Sequence, residues 1–225
     1  MAGSPPYPPL TIDGTVYGVA LNSRSETARL ADRVAAPPYQ EAPLAPILYI
    51  KPRNTHLAHG GTVFIPPAIA EIEPAAAIAV IFARDATAVG VADALDHVLG
   101  YTLALDLSEP TASYYRPPIR EKCRDGFLPI GPYLTPAHAI DDPASLMVGL
   151  EIDGNAAGAL PLIELIRPIP QLIADISAFM TFRRGDVLLA GLTPAGARAK
   201  VGSRLSAVAN GIGRLDCTVA AEVLA

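Results

Sequence analysis

The sequence predicts a mainly β protein with a few helices, and two observations support this. The 23 prolines and 18 glycines are spread over the whole length, a pattern typical of many short strands joined by turns. Apolar runs such as 75–82 lack a 3.6-residue period and are short enough for buried strands. The 225 residues are 51% hydrophobic, which suits one large domain with a substantial core. We expect residues 1–15 to form a flexible proline-rich arm and 16–225 a single domain.

Local patterns predict the individual elements in order along the chain. Short apolar segments predict strands at 16–21, 48–50, 75–82, 101–107, 146–153 and 187–189. A Gly-Gly pair within 56–65 and the dipeptide Asp153-Gly154 predict hairpin turns. Amphipathic or polar stretches predict helices at 23–34, 91–99 and 163–182, and 114–127 is predicted to be a charged loop.

Composition excludes several classes of protein. The net charge of -5 gives no basic surface for nucleic acid. The apolar runs are too short to span a membrane, and the first residues lack the basic start and apolar stretch of a signal peptide. Two cysteines, Cys123 and Cys217, are too few for a disulfide framework. We therefore expect a soluble cytoplasmic protein. A mean hydropathy of +0.33 also favours an oligomer, with a homodimer expected.

Several short segments carry a family resemblance through their order and spacing. They are Gly18-Val19-Ala20-Leu21-Asn22, Ile50-Lys51-Pro52, Gly100-Tyr101-Thr102 with Asp106, Lys122 to Pro132, and Gly185-Asp186 followed by Gly191 and Thr193-Pro194. Together they resemble the fumarylacetoacetate hydrolase superfamily over most of residues 16–220. The resemblance implies the mixed β-sandwich or roll of that family's C-terminal domain, and a dimeric or larger assembly.

The stretch 114–127 narrows the resemblance to one branch. It is similar to the bifunctional isomerase/decarboxylases of 4-hydroxyphenylacetate (homoprotocatechuate) degradation, which consist of two related halves, fused or separate. This chain is more similar to the N-terminal half. The resemblance implies decarboxylation of 5-oxopent-3-ene-1,2,5-tricarboxylate and isomerisation of 2-hydroxyhepta-2,4-diene-1,7-dioate. The expected ligand is thus a small dicarboxylic or tricarboxylic keto acid of aromatic catabolism.

Such chemistry passes through an enolate, which a divalent metal bound to the substrate oxygens stabilises. The resemblance implies Mg²⁺ or Mn²⁺ held by three carboxylates, namely a Glu-x-Glu pair on one strand and an aspartate on a later one. Asp106 matches the aspartate. The period of two in a strand would place both glutamates of the pair on one face.

The position of the glutamate pair stays open in this sequence. Counting back from Arg84 without a gap puts its two positions at Ala75 and Ala77, which would leave the chain without a metal. A shifted alignment would use Glu71 and Glu73 instead. These two precede Pro74, which we expect to break the strand, so we interpret them as solvated loop carboxylates.

Two residues are candidates for catalysis. Lys122 matches a family lysine that faces the substrate, where its ammonium could stabilise an enolate or a carboxylate. Glu26 and Arg29 stand where the family often has a His and a Glu that act as an acid/base pair on a lid. An arginine cannot act as a base at neutral pH, so Glu26 remains the candidate if burial raises its pKa.

Other residues are candidates for holding the substrate. Arg116, Arg120 and Arg124 could pair with substrate carboxylates, because a guanidinium binds a carboxylate through two hydrogen bonds. Tyr115 could form a wall of the pocket. Thr193 matches a family threonine that binds the substrate carboxylate, although Gly191-Leu192-Thr193-Pro194 is one residue longer than the family's Gly-Thr-Pro.

Three hypotheses about function remain open. The first is an active isomerase/decarboxylase with its metal on Asp106. The second is a catalytically reduced partner that completes an assembly with a related C-terminal half carrying the full ligand set. The third is another activity of the superfamily, such as that of an oxaloacetate decarboxylase or an acylpyruvate hydrolase.

Overall fold

The computed structural model describes residues 10–32, 36–37, 43–110 and 118–222, and within them β-strands dominate. The mainly β prediction is therefore confirmed. The strands are β1 (Val16–Ala20), β2 (Ile47–Lys51), β3 (His56–Leu57), β4 (Thr62–Ile65), β5 (Glu73–Phe82), β6 (Val98–Ser108), β7 (Leu128–Pro136), β8 (Met147–Ile152), β9 (Asn155–Pro161), β10 (Val187–Leu189), β11 (Arg204–Ala209) and β12 (Gly213–Ala221).

The strands form two sheets. The larger has seven strands in the order β2-β1-β10-β5-β6-β7-β3, and the smaller has five in the order β4-β12-β11-β8-β9. The larger sheet is mixed, since β1 pairs parallel with β10 whereas β5 pairs antiparallel with both β10 and β6. In the smaller sheet, β8 and β9 form the predicted hairpin, and both turn residues, Asp153 and Gly154, have positive φ.

The helices are short and connect the strands of the two sheets. The α-helices are α1 (Arg24–Arg29), α2 (Ile119–Lys122) and α3 (Ile169–Ser177), and one-turn to two-turn 3-10 helices cover Arg53–Thr55, Val91–His97, Ala137–Ala139, Pro143–Ser145 and Leu162–Glu164. No helix within the described residues is long and apolar enough to cross a membrane.

β5 is the central strand of the larger sheet, and both of its faces are buried. Its even-numbered residues, such as Ile78 and Val80, contribute to the main core cluster. Its odd-numbered residues, such as Ala77 and Ala79, contribute to a second cluster with Ala104 and neighbouring strands. Burial on both faces explains why this segment reads as a continuous apolar run rather than as an alternating one.

Residues 10–15 of the expected N-terminal arm are held against the larger sheet. Leu10 donates its backbone N–H to Pro132 O, and Thr15 donates its own to Asp186 Oδ1. Leu10 and Ile12 pack on the second cluster. Residues 1–9 of the expected arm lie outside the described part of the chain.

Some predicted elements were wrong. The segment 56–65 is not a hairpin, because β3 pairs with β7 and β4 pairs with β12, in different sheets. Pro74 does not break β5, which begins at Glu73. Pro74 faces Leu107, whose N–H bonds to Phe127 O instead. Pro74 and Leu107 therefore form a pair that exchanges no ladder hydrogen bond. A proline, which has no N–H, fits at such a pair.

Two predicted helices were too long, and the strand β7 was missed. The stretch 91–99 forms a 3-10 helix that ends at His97, because Val98 begins β6 and pairs with Phe82 of β5. The stretch 163–182 is α-helical only over α3, since Pro168 and Pro170 allow an α-helix to begin only there. The strand β7 was missed because its prolines disguised the pattern.

Candidate active site

Asp106 is a buried carboxylate in the apolar strand β6. It is only 1% exposed and lies directly opposite Ala75 of β5. Ala77, two residues further on the same face, lies opposite Ala104. A buried charge of this kind requires partners within the protein.

Three side chains supply those partners. Lys51 Nζ lies 2.7 Å from Asp106 Oδ1, and Lys122 Nζ lies 2.7 Å from Oδ2. Tyr49 donates its hydroxyl to Oδ2 at 2.5 Å. Tyr49 and Lys51 share one face of the edge strand β2, and Lys122 is the last residue of α2. Two separate elements thus meet on a single aspartate of β6.

The Lys51 ammonium has three partners inside the protein. Besides its ion pair with Asp106, it donates to Leu107 O at 2.9 Å and to Lys122 O at 2.7 Å. Burial lowers the pKa of Lys51 to about 8, although the Asp106 carboxylate opposes this shift. Lys51 is therefore an internal cation that joins β2 to β6 and to the end of α2.

Asp106 itself remains ionised. Burial raises the pKa of its carboxyl, but the ammonium groups of Lys122 and Lys51 outweigh burial and hold the pKa well below its usual range. Its two oxygens each face an ammonium, and Oδ2 accepts the tyrosine hydroxyl as well.

Tyr49 is held in place by its neighbours. Its ring lies over Gly18 of β1, where an added Cβ would come within 2.1 Å of the ring. The Lys122 ammonium lies 4.7 Å from the ring centroid, in the range of a cation–π contact. Burial and the nearby Asp106 raise the pKa of Tyr49 well above 10. Tyr49 is therefore a neutral donor to Asp106.

Glu26 approaches the same region from α1. The helix begins after Ser23, whose hydroxyl accepts the Glu26 N–H. Glu26 is 7% exposed. Burial raises its pKa; the charges of Arg29 and Lys122 lower it, and that of Glu73 raises it. Glu26 is thus a buried acid within electrostatic reach of Lys122, and the burial that its candidacy required is present.

Comparison with known proteins identifies the family. The family model for the fumarylacetoacetate (FAA) hydrolase C-terminal domain matches residues 15–220. The chain belongs to the fumarylacetoacetate hydrolase family. The 4-hydroxyphenylacetate degradation bifunctional isomerase/decarboxylases of Salmonella dublin and Escherichia coli are 34% and 35% identical to it. In both cases the match covers 93% of this chain and 48% of the relative, so the chain spans about half the length of these relatives.

Solved structures share the fold of this family member. The 2-hydroxyhepta-2,4-diene-1,7-dioate isomerase from Mycobacterium marinum has a TM-score of 0.77 and 26% identity, covering 97% of this chain and 78% of that chain. The maleylpyruvate hydrolase from Sphingobium sp. SYK-6, solved with manganese(II) and pyruvate, has a TM-score of 0.75 and 24% identity, covering 93% and 71%.

The residues of this family member do not fit the implied divalent metal. Among the described residues, no three His, Cys, Asp or Glu side chains come together in a group that could hold one. Ala75 and Ala77 lie where the ungapped count from Arg84 puts the glutamate pair, and Ala75 faces Asp106. A hard cation needs about six oxygen ligands, whereas Asp106 is already surrounded by two ammonium groups.

Glu71 and Glu73, the alternative ligands, are engaged elsewhere. Glu73 accepts the Gly196 N–H at 2.9 Å and lies 3.2 Å from Arg198 Nη1. Glu71 lies 3.0 Å from Arg198 Nε. They do not form a three-carboxylate group with Asp106. They are not simply solvated loop carboxylates either, because together they tie the segment after Thr193 to the start of β5.

The predicted substrate-binding arginines and tyrosine are only partly described. Arg120 is exposed on α2, and Arg124 is paired with Glu109 at 2.5 Å. Arg116 and Tyr115 lie outside the described residues. Of the two described arginines, only Arg120 is without an anionic partner among the described residues, since Arg124 is paired with Glu109.

Thr193 lies at the edge of β5. Its hydroxyl accepts the Ala76 N–H at 2.9 Å, and its own N–H donates to Ala76 O at 2.9 Å. It is 1% exposed. Thr193 thus continues the sheet where β10 has ended.

Sequence reasoning missed two residues of the site, Tyr49 and Lys51. Lys51 was noticed only as part of a family segment. A signal was present, because Lys51 directly follows Leu48-Tyr49-Ile50 in a short strand, and a lysine that such a strand buries needs a partner. The strand's period of two also places Tyr49 on the same face as Lys51.

Proposed function

We propose that this chain is one half of a bifunctional isomerase/decarboxylase of aromatic catabolism, and that it needs no metal of its own. The substrates of the whole enzyme are 5-oxopent-3-ene-1,2,5-tricarboxylate and 2-hydroxyhepta-2,4-diene-1,7-dioate, and this chain isomerises the second. The step that depends on a divalent metal belongs to a second, related half, either on the same polypeptide or on another.

The observation that carries this proposal is the pairing of Ala75 with Asp106. In a family site with a Glu-x-Glu pair, that position would supply a carboxylate next to the aspartate. Here it supplies a methyl group. The relatives at 34% and 35% identity are about twice as long as the region they share with this chain, which leaves room for a second half.

The residues that remain support proton transfer on an anionic substrate. Lys122 is the partly exposed cation of the site, with a side chain 16% accessible, so its ammonium can bind a carboxylate or an enolate oxygen. Burial raises the pKa of the Glu26 carboxyl, the direction that a general acid/base working at neutral pH requires. Moving a double bond in a hydroxydienoate needs one proton removed and one returned.

The relatives give the proposal its substrate class. The Escherichia coli relative is named for isomerase and decarboxylase activities, and the Mycobacterium marinum structure for the 2-hydroxyhepta-2,4-diene-1,7-dioate isomerase. The Sphingobium maleylpyruvate hydrolase was solved with manganese(II) and pyruvate, which supports a metal-dependent step in a second half that holds the carboxylates. At the two positions that the ungapped count from Arg84 gives to the glutamate pair, this chain has Ala75 and Ala77.

The test is to assay the purified chain alone on each substrate, with Mn²⁺ and with EDTA. We expect isomerisation that is unchanged by EDTA and is lost in Lys122→Met and Glu26→Gln, and no decarboxylation. Adding the half of the Escherichia coli relative that this chain does not match should introduce metal-dependent decarboxylation. Decarboxylation by the chain alone that needs Mn²⁺ and disappears in Asp106→Asn would overturn the proposal.

A second candidate is a partner half with no chemistry of its own. It is favoured by the exchange of both expected acid/base residues for Glu26 and Arg29. Under this alternative the isolated chain isomerises nothing, yet it raises the activity of the second half. The burial of Glu26 beside the charge of Lys122 favours the first candidate.

Assembly is part of the proposal. Large apolar side chains are exposed at Leu44, Phe179 and Ile163, each at least 67% accessible, and such surface is often covered in an oligomer. We expect a homodimer, or a complex with a related half. Light scattering of the pure chain distinguishes a dimer from a monomer.

A further inference from the structure

We infer that this chain has exchanged a divalent metal site for an internal lysine–tyrosine lock on Asp106, and that two alanines keep the metal site from forming. The lock consists of Lys51, Lys122 and Tyr49. The inference does not depend on the substrate or on a second half, and it concerns only what this chain's own aspartate can bind.

The first step concerns charge. A divalent cation would bring two positive charges to Asp106, where the structure already places two ammonium groups at 2.7 Å. Lys51 is inaccessible and bonded to two carbonyl oxygens besides, so it cannot swing away. Without further carboxylates, a cation entering here would be repelled by both lysines, and one aspartate could not offset that repulsion.

The second step concerns geometry. Antiparallel neighbours in direct register have Cβ atoms about 4.5–5.5 Å apart, so a carboxylate side chain at position 75 would reach the oxygens of Asp106. Position 77 projects from the same face of β5. Ala75 and Ala77 are buried and offer no ligand. On that face of β5 the carboxylate is that of Glu73, which accepts the Gly196 N–H and pairs with Arg198.

The third step concerns Tyr49. Its hydroxyl donates to Asp106 Oδ2 at 2.5 Å, the oxygen that Lys122 also contacts. A phenol at this distance uses a lone pair that a cation would need. Tyr49 is therefore the part of the lock that can be removed without disturbing the lysine charges, since phenylalanine keeps the ring against Gly18.

The experiment is a titration of metal-free protein with Mn²⁺, followed by calorimetry and by the loss of the free-ion EPR signal. The variants are wild type, A75E/A77E and its neutral, equally large control A75Q/A77Q, each with and without Y49F. We expect no binding by wild type, Y49F or A75Q/A77Q. We expect A75E/A77E to bind one Mn²⁺ with a Kd at least about tenfold below the weakest Kd that the titration of A75Q/A77Q could detect, because two charged oxygen ligands are present. Adding Y49F should tighten that binding several-fold.

Two results would overturn the inference. One is stoichiometric Mn²⁺ binding by wild type that is lost in D106N. The other is a folded A75E/A77E protein that binds no better than A75Q/A77Q. If the double variant does not fold, A75E alone replaces it, since Ala75 is the more accessible of the two, and the wild-type titration still decides the main point. The titration measures metal binding, whereas the proposed function is tested by isomerisation in EDTA, so failure of the one is distinguishable from failure of the other.

Discussion

Ala75 lies directly opposite Asp106 across the pair of strands β5 and β6. This single contact determines the character of the site. Asp106 keeps a buried negative charge, yet its neighbour across the sheet gives it no second carboxylate. The charge is balanced by Lys51 and Lys122 from other elements. The site is therefore held together by ion pairs made within the protein.

Replacing Asp106 with asparagine should destabilise the protein strongly. The substitution keeps the shape but leaves two ammonium groups near each other without a counter-charge, and breaking a buried ion pair costs about 3–5 kcal/mol. Chemical denaturation at pH 7 measures the free energy of unfolding. Asp96→Asn, on an exposed aspartate, serves as the matched control and should change little. Equal stability of D106N and wild type would show that the lysines are balanced in another way.

The stability difference between wild type and D106N should shrink at low pH. The pKa of Asp106 is lower in the folded protein than in the unfolded chain, so its contribution is complete above the unfolded value of about 4. That contribution is lost as the pH falls from there through the folded pKa. Thermal unfolding at pH 6, 4 and 3 should therefore show the two melting temperatures converging below pH 4. A constant difference would contradict the ion-pair assignment.

Glu26→Gln should stabilise the protein at pH 8 and have no effect at pH 4. Burial raises the pKa of Glu26 in the folded protein above its ordinary value of 4.5, so the folded state binds the proton more tightly than the unfolded chain does. The folded state therefore loses stability as the pH rises from 4.5 through the folded pKa. Glutamine removes this cost. Melting temperatures at both pH values test the prediction. Glu164→Gln, on a residue outside the site, is the control. A lower melting temperature of E26Q at pH 8 would mean that the Glu26 charge is favourable.

Gly18→Ala should separate Tyr49 from Asp106. An added Cβ would lie 2.1 Å from the Tyr49 ring, so the ring must move and its hydroxyl loses the carboxylate. We expect destabilisation of about 1–3 kcal/mol, the usual cost of overpacking a filled site. In the Tyr49→Phe background the ring still collides, so G18A should remain costly there. A neutral effect of G18A would show that the ring has free space.

Thr193→Val should weaken the sheet edge, whereas Thr193→Ser should not. Valine leaves the buried Ala76 N–H without the hydroxyl that accepts it, a loss of about 1–3 kcal/mol. Serine keeps the acceptor. Denaturation measures stability, and substrate titration by calorimetry measures binding separately. If T193V weakens substrate binding without changing stability, Thr193 contacts the substrate rather than the strand.

The fold was predictable to the extent that local patterns reflect it. The strands β1, β2, β5 and β10 were predicted near their observed positions, because each is a short, strongly apolar run. The strand β7 was not predicted, since its prolines are tolerated only where neighbouring strands need no N–H. The hairpin at 56–65 failed because two strands close in sequence joined different sheets, which no local pattern reports.

The site was predictable only residue by residue. Asp106 and Lys122, which pair in the structure, were singled out because each stands in a segment with a family resemblance. Tyr49 was missed because its role depends on the register that places β2 beside β1 and brings its hydroxyl to β6. The burial of Glu26 was likewise invisible, because α1 has no apolar stripe and Glu26 is its one buried residue.

The sequence by itself determined the family, the mainly β character and the chemical types of the site's residues, since these depend on composition, spacing and short motifs. Only the tertiary structure decided that Lys51 and Lys122 share one aspartate, and that an alanine faces it across the sheet. The physical reason is that strand register and long-range ion pairs are set by the packing of the whole core. The strands β2 and β6 and the helix α2 must come together before the two ion pairs exist, and β5 must pair with β6 before Ala75 faces Asp106.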